Sequence, residues 1–71
     1  MPKLYSSDEI IKALERAGFT KVSQRGSHAK YRRVGEPTLT VIVPAGRREI
    51  PRGTLRSILR QSNFSEEDLL G

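Results

Sequence analysis

The one histidine of the chain, His28, follows Gly26-Ser27 and lies between Arg25 and Lys30, with Arg32 two residues further on. Histidine has the side-chain pKa nearest neutrality, so one ring can take up a proton and give it back. Cations beside it attract phosphate and stabilise negative charge that develops there. That set suits cleavage of RNA, a polyanion that carries its own nucleophile. Removing the proton of a ribose 2′-hydroxyl lets that oxygen attack the adjacent phosphorus. One fragment then ends in a 2′,3′-cyclic phosphate and the other in a free 5′-hydroxyl. No metal is required, and DNA, lacking the hydroxyl, is not cut. A lone histidine leaves the departing oxygen to be protonated by another group or by water, which predicts a slow enzyme. The competing reading is a solvated histidine in a surface turn, the commoner state of a single exposed imidazole. Ser27 lacks the acid and second base of a nucleophilic serine, so turn geometry or a hydrogen bond to phosphate is its expected role.

Further cations lie downstream. Arg47 and Arg48 fall in a loop, and Arg52, Arg56 and Arg60 recur every four residues, forming one stripe of a helix. Such a stripe either grips phosphates or an acidic partner, or is simply the solvated face of the helix. Glu49 stands alone among these arginines, where an ion pair with a neighbour is the default expectation.

Composition narrows the choices. The 71 residues carry 13 Lys+Arg against 8 Asp+Glu, a formal charge of +5. This excess points to nucleic acid or an acidic protein partner. Arginine predominates among the cations, and its planar fork binds phosphate bidentately. The acids cluster toward the two ends, which leaves the middle of the chain basic. With no cysteine the chain suits a reducing cytoplasm and has no thiolate metal site. A single histidine and scattered carboxylates predict neither a metal nor a cofactor. No apolar run approaches the ~18 residues of a membrane span, and no signal peptide is expected.

These side chains must be positioned by a thin, single domain covering 1–71. Ser6 and Glu9 form the sequence pattern of a capping box, followed by Ile10, Ile11, Leu14 and Ala17 at helical spacing, with Gly18 as the stop. A helix is predicted over about 7–17. Strands are predicted over 19–25, with Val22 as the central apolar residue, over 28–34, and over 38–43, ended by Pro44. Gly26-Ser27 and Gly35-Glu36-Pro37 supply the turns, and their brevity predicts an antiparallel meander. Alternation puts His28, Lys30 and Arg32 on one face and Ala29, Tyr31 and Arg33 on the other, where Leu39, Val41 and Val43 form the core side. Pro51 opens a second helix, with Thr54 as a possible cap, an apolar stripe of Leu55, Ile58 and Leu59, and Asn63 as its end. A last short helical turn begins at Ser65-Glu66-Glu67-Asp68, anchored by Phe64 and Leu69. The predicted fold is α+β, with order α-β-β-β-α and two helices on one face of a three-stranded antiparallel sheet. That is the arrangement of a double-stranded-RNA-binding domain.

Over nearly its whole length the chain resembles the HicA-type toxins, the small ribonuclease partners of toxin–antitoxin pairs. The resemblance rests on Ala17-Gly18-Phe19, Gln24-Arg25-Gly26-Ser27-His28, Val43-Pro44, and the long run from Glu49 to Gln61. It implies a double-stranded-RNA-binding-like fold, ribosome-independent mRNA cleavage, a catalytic histidine at His28, and a HicB-type antitoxin that masks the active surface. Two positions depart from the pattern. Many members carry a second histidine where this chain has Ala29, and another shortly after the valine-proline pair, where this chain has Ala45-Gly46.

Three functions follow. The first is a metal-independent mRNA endoribonuclease toxin of the cytoplasm, with His28 catalytic and Arg25, Ser27, Lys30, Arg32, Arg47 and Arg48 contacting RNA. Arg52, Arg56 and Arg60 then hold RNA or the antitoxin. The second is a non-catalytic RNA-binding module of the same fold. The third is a pure protein-interaction subunit whose basic face serves an acidic partner.

Overall fold

The computed structural model describes residues 3–71. Helix α1, Ser7–Arg16, begins at the expected capping box: the Ser6 hydroxyl accepts from the Glu9 amide at 3.1 Å, and the Glu9 carboxylate accepts from the Ser6 amide at 3.0 Å. Two of the helix's otherwise unpaired donors are satisfied in this way. Ile10, Ala13 and Leu14 form its buried stripe. After Ala17 the chain reverses at Gly18, whose φ of +97° is a conformation that side-chain-bearing residues rarely adopt. Phe19 is then buried in the core rather than opening the first strand.

The strands are β1, Thr20–Arg25, β2, His28–Arg33, and β3, Leu39–Pro44, paired antiparallel in the order β1-β2-β3. Helix α2, Arg52–Ser62, packs mainly on β3, and α3, Glu66–Leu70, lies against α1. The result is an α+β fold like that of a double-stranded-RNA-binding domain, with helices on one face of the sheet and a short third helix at the end. Ile10, Leu14, Phe19, Val41, Val43, Ile50, Leu55 and Ile58 are excluded from water between the layers. Burial of such side chains is the main stabilising term, at about 1.5–3 kcal/mol each.

Three expectations need correction. Val22 is not a core residue. The register shifts between Lys21 and Ser23, Val22 is the extra residue of that bulge, and it is 44% exposed. No residue of β1 is buried, since the helices cover β2 and β3 and do not reach this edge. Thr54 makes no cap: α2 begins at Pro51 without any side-chain cap bond. Glu49 forms no ion pair, because the two pairs among the described residues are Lys3–Glu9 and Arg52–Glu66. Arg52 and Glu66 meet in a two-pronged contact at 2.7 and 3.1 Å, so this arginine ties α2 to α3.

Candidate active site

The β1–β2 hairpin turns through two residues, Gly26 and Ser27, and closes on the pair Arg25 and His28. Gly26 has φ +54°, and a glycine in the first turn position gives the chain the twist a two-residue hairpin needs. Ser27 contributes through its backbone, its carbonyl accepting from the Ala45 amide at 2.6 Å. This bond carries the β2–β3 ladder one step past His28, which stands opposite Pro44.

Directly paired residues share a face, so the register defines the surface around His28. Arg25, His28 and Pro44 form one row across the sheet. Ser23, Lys30 and Ile42 form the second, and Thr20, Arg32 and Thr40 the third. No helix covers this side. The bulge at Val22 matters here. Strict alternation from Lys21, which pairs with Tyr31, would put Ser23 and Arg25 on the core side. The extra residue reverses that parity and sets both beside the histidine.

Ser23, Arg25, His28, Lys30 and Ile42 line a hollow of about 150 Å³. Arg25, His28 and Arg32 are exposed, and Lys30 is half-buried. Neither ion pair of the described residues uses Arg25, Lys30, Arg32, Arg47 or Arg48. Their charges stand ready for an external anion. A slightly larger hollow, about 190 Å³, lies on the helical side among Lys3, Tyr5, Glu9, Lys12, Arg16 and Leu70. It holds no histidine, and its one acid is occupied by Lys3 and the cap of α1. Those two contacts, the cap amide first, hold the Glu9 carboxyl below its usual range. The smaller hollow is the one with the means for proton transfer.

Arg47 and Arg48 belong to the loop that leaves the sheet at its His28 end. Ser7 fixes this loop. Its hydroxyl donates to the Pro44 carbonyl at 2.5 Å and accepts from the Arg47 amide at 2.9 Å, while its own amide donates to the Arg47 carbonyl at 2.9 Å. Ser7 is thus a buried polar residue with its partners satisfied, as burial requires. Arg56 and Arg60 are exposed on α2, within the helical layer, and do not join the His28 face. The Arg60 side chain donates to the Ser57 hydroxyl of its own helix at 3.4 Å.

The two departures from the histidine pattern have different structural meanings. Ala29 points into the core and is 1% exposed. A histidine there would face the helices, so the alanine removes no proton carrier from the open side. Gly46 lies in the loop beyond Pro44, with φ +73° and open space where a Cβ would stand. A side chain there would reach solvent near the site, at the cost of a strained backbone.

Ser23 and Ile42 escaped the sequence reading. Ile42 had a visible signal, an apolar residue on the outer side of a strand whose core positions are 39, 41 and 43. Ser23 had none, because its placement depends on the bulge.

No curated protein matches the chain significantly. The family model described as the HicA toxin of bacterial toxin–antitoxin pairs matches residues 7–64, which includes both core helices, the whole sheet and every residue of the His28 hollow. Among the described residues no helix is long and apolar enough to cross a membrane. The chain therefore belongs to the HicA toxin family, one half of a toxin–antitoxin pair with a cognate antitoxin as its partner.

Proposed function

We propose that this toxin is a metal-independent endoribonuclease that cuts mRNA, with His28 as the group that moves the proton. The observation that supports it most directly is the exposed histidine paired with Arg25 and adjoining Lys30 on an uncovered sheet face. His28 takes the proton of a ribose 2′-hydroxyl as the oxygen attacks phosphorus. The bond from phosphorus to the 5′-oxygen breaks, and that oxygen acquires a proton from water or from the protonated imidazole. Arg25 and Lys30 hold the phosphate oxygens and balance the charge gathering on them. Arg32, Arg47 and Arg48 extend the grip along the chain. Pre-positioning of this kind needs no ion other than the protein's own cations.

The antitoxin is of the HicB type and neutralises the toxin by covering this open face. Shared use of one surface by RNA and antitoxin explains why a family with a toxic activity leaves it uncovered in the free protein. The setting is the cytoplasm, where mRNA is encountered.

The test uses the purified protein, a chelator, and two RNA strands that differ by one 2′-deoxyribose at the observed cut. The all-ribose strand is cut to cyclic-phosphate and 5′-hydroxyl ends, and the substituted strand survives at that bond. Cleavage of the substituted bond, or 5′-phosphate ends, would refute the mechanism. Retained, salt-dependent binding with no product from either strand would instead establish the non-catalytic RNA-binding module.

A further inference from the structure

The open face is polar almost throughout, yet Ile42 stands in its middle row. It is opposite Lys30, half-buried, and lines the hollow with His28, Arg25 and Ser23. The core makes no use of it, since Val41 and Val43 on either side point to the helices. Its backbone is fixed from the other direction: the Ile42 amide donates to the Gln61 side-chain oxygen of α2 at 2.9 Å. That bond also occupies an outward amide of an edge strand. An apolar side chain lining a cationic hollow is suited to a ligand with both a flat apolar face and a negative backbone.

The outward side chains of β2 give the direction of that backbone. His28, Lys30 and Arg32 follow one another along β2 at alternate positions, so they are ~6.8 Å apart. That interval is comparable to the spacing of successive phosphates in an extended single strand. A base hanging from a backbone on this line falls to one side of β2, either toward Ser23 on β1 or toward Ile42 on β3. Of these two neighbours of Lys30, Ile42 is the apolar one.

Resting on the ribonuclease reading of the same site, we propose that RNA lies along β2 as a single strand and seats one unpaired base on Ile42. Ile42 is thereby a specificity-determining residue, selecting unpaired over paired nucleotides. A base in a duplex has both faces stacked and its edge turned into a groove, so it cannot lay a face on this side chain without leaving the helix. The hollow, at about 150 Å³, is of the size of one ring system. Attack by the 2′-oxygen in line with the departing oxygen also needs a flexible backbone. The duplex-binding look of the fold and the single-strand demand of the chemistry are thus reconciled, because the substrate uses the open sheet face and not the helical layer.

The test measures binding by fluorescence anisotropy in the His28→Ala background, so that cleavage does not intervene. The probes are a short oligouridylate, a strand of equal length with abasic riboses, and a duplex. The base-bearing strand should bind about five- to tenfold tighter than the abasic strand, a difference that one modest apolar contact supplies. Ile42→Thr keeps the β-branched shape and should shrink that difference to about twofold, while Ile42→Phe should widen it. Lys30→Ala and Arg32→Ala should weaken both strands alike and lower the salt slope by about 0.7 each. Equal binding of abasic and base-bearing strands would overturn the proposal. So would tighter binding of the duplex, or an unchanged difference in both Ile42 variants with their circular dichroism intact. A clear base preference in a protein whose parent form cuts no RNA would uphold this seat while removing the ribonuclease reading. Absence of all RNA binding would remove both.

Discussion

The two faces of β2 divide the work of the molecule. On one side Ala29 and Tyr31 are buried against the helices. Burial, followed by the charges of Glu15 and Asp8, pushes the Tyr31 phenol above its usual range. On the other side His28 and Arg32 are exposed. The adjacent arginines 32 and 33 make the contrast sharpest. Arg33 points inward, donates to the Ala17 carbonyl at 3.2 Å, and lies over the rings of Phe19 and Phe64 at 5.6 and 5.4 Å. It therefore closes α1 and joins the helix end to the last turn of the chain. Arg32 has no such tie and faces outward with the histidine. Charge counted along a sequence overstates what is available to a ligand. Of the nine arginines, Arg33 and Arg52 are taken up by the fold itself.

Breaking the inward side should destabilise the fold while leaving the residues of the open face unchanged. Leu14→Ala removes a fully buried side chain from the core and should cost about 2–5 kcal/mol, read as a lower midpoint in urea. For a domain this small, that is a large share of its total stability. The arginine pair gives the next largest effect and the cleanest comparison. Arg33→Ala should lower stability by about 2 kcal/mol through the lost carbonyl bond and ring contacts. Arg33→Lys should recover little of it, since an ammonium cannot lie flat between two rings. Arg32→Ala should leave the melting temperature unchanged and weaken RNA binding instead. If Arg32 and Arg33 variants melted alike, the division of the two faces would be wrong.

Ser7→Ala should cost about 1–2 kcal/mol, because the Pro44 carbonyl and the Arg47 amide lose their buried partner. The same change should speed amide exchange in the loop that carries Arg47 and Arg48, visible by hydrogen–deuterium exchange. The smallest expected effect is on pH stability. The Glu66 carboxyl lies below its usual range because Arg52 bonds to it, and Glu9 lies below because of the Ser6 amide and then Lys3. Groups depressed in the folded state stabilise it above their unfolded pKa, near 4.5, and that contribution is lost as pH falls through the folded values. Tyr31 has the opposite sign. Its raised value stabilises the fold below about pH 10 and the contribution is lost as pH climbs through the folded value. Melting temperature should therefore decline at both extremes, and Glu66→Gln should flatten part of the acid limb.

Much of this arrangement was legible in the residues alone. Alternation along β2 and β3 assigned both faces, because one side of a half-buried strand must be apolar. The capping box at Ser6 and Glu9 and the stop at Gly18 located α1, since each is a local backbone requirement. What escaped depends on distant partners. The bulge at Val22 reflects how β1 adjusts to β2, and an edge strand without helical cover gives no apolar pattern to read. The sandwiching of Arg33, the tie between Arg52 and Glu66, and the burial of Ser7 join residues 14 to 40 positions apart. No spacing rule reaches that far. Thr54 misled because a threonine early in a helix resembles a cap, whereas Pro51 alone begins α2.

In the proposed mechanism His28 acts from a face that the fold does not need. The most direct test compares the parent protein and His28→Ala on one RNA in chelator, recording cleavage, RNA affinity and melting temperature together. The prediction is that cleavage falls by about 10²- to 10⁴-fold while affinity changes little and the melting temperature is unchanged. Cleavage that persists in the variant, or a loss of folding that accompanies the loss of cleavage, would contradict it.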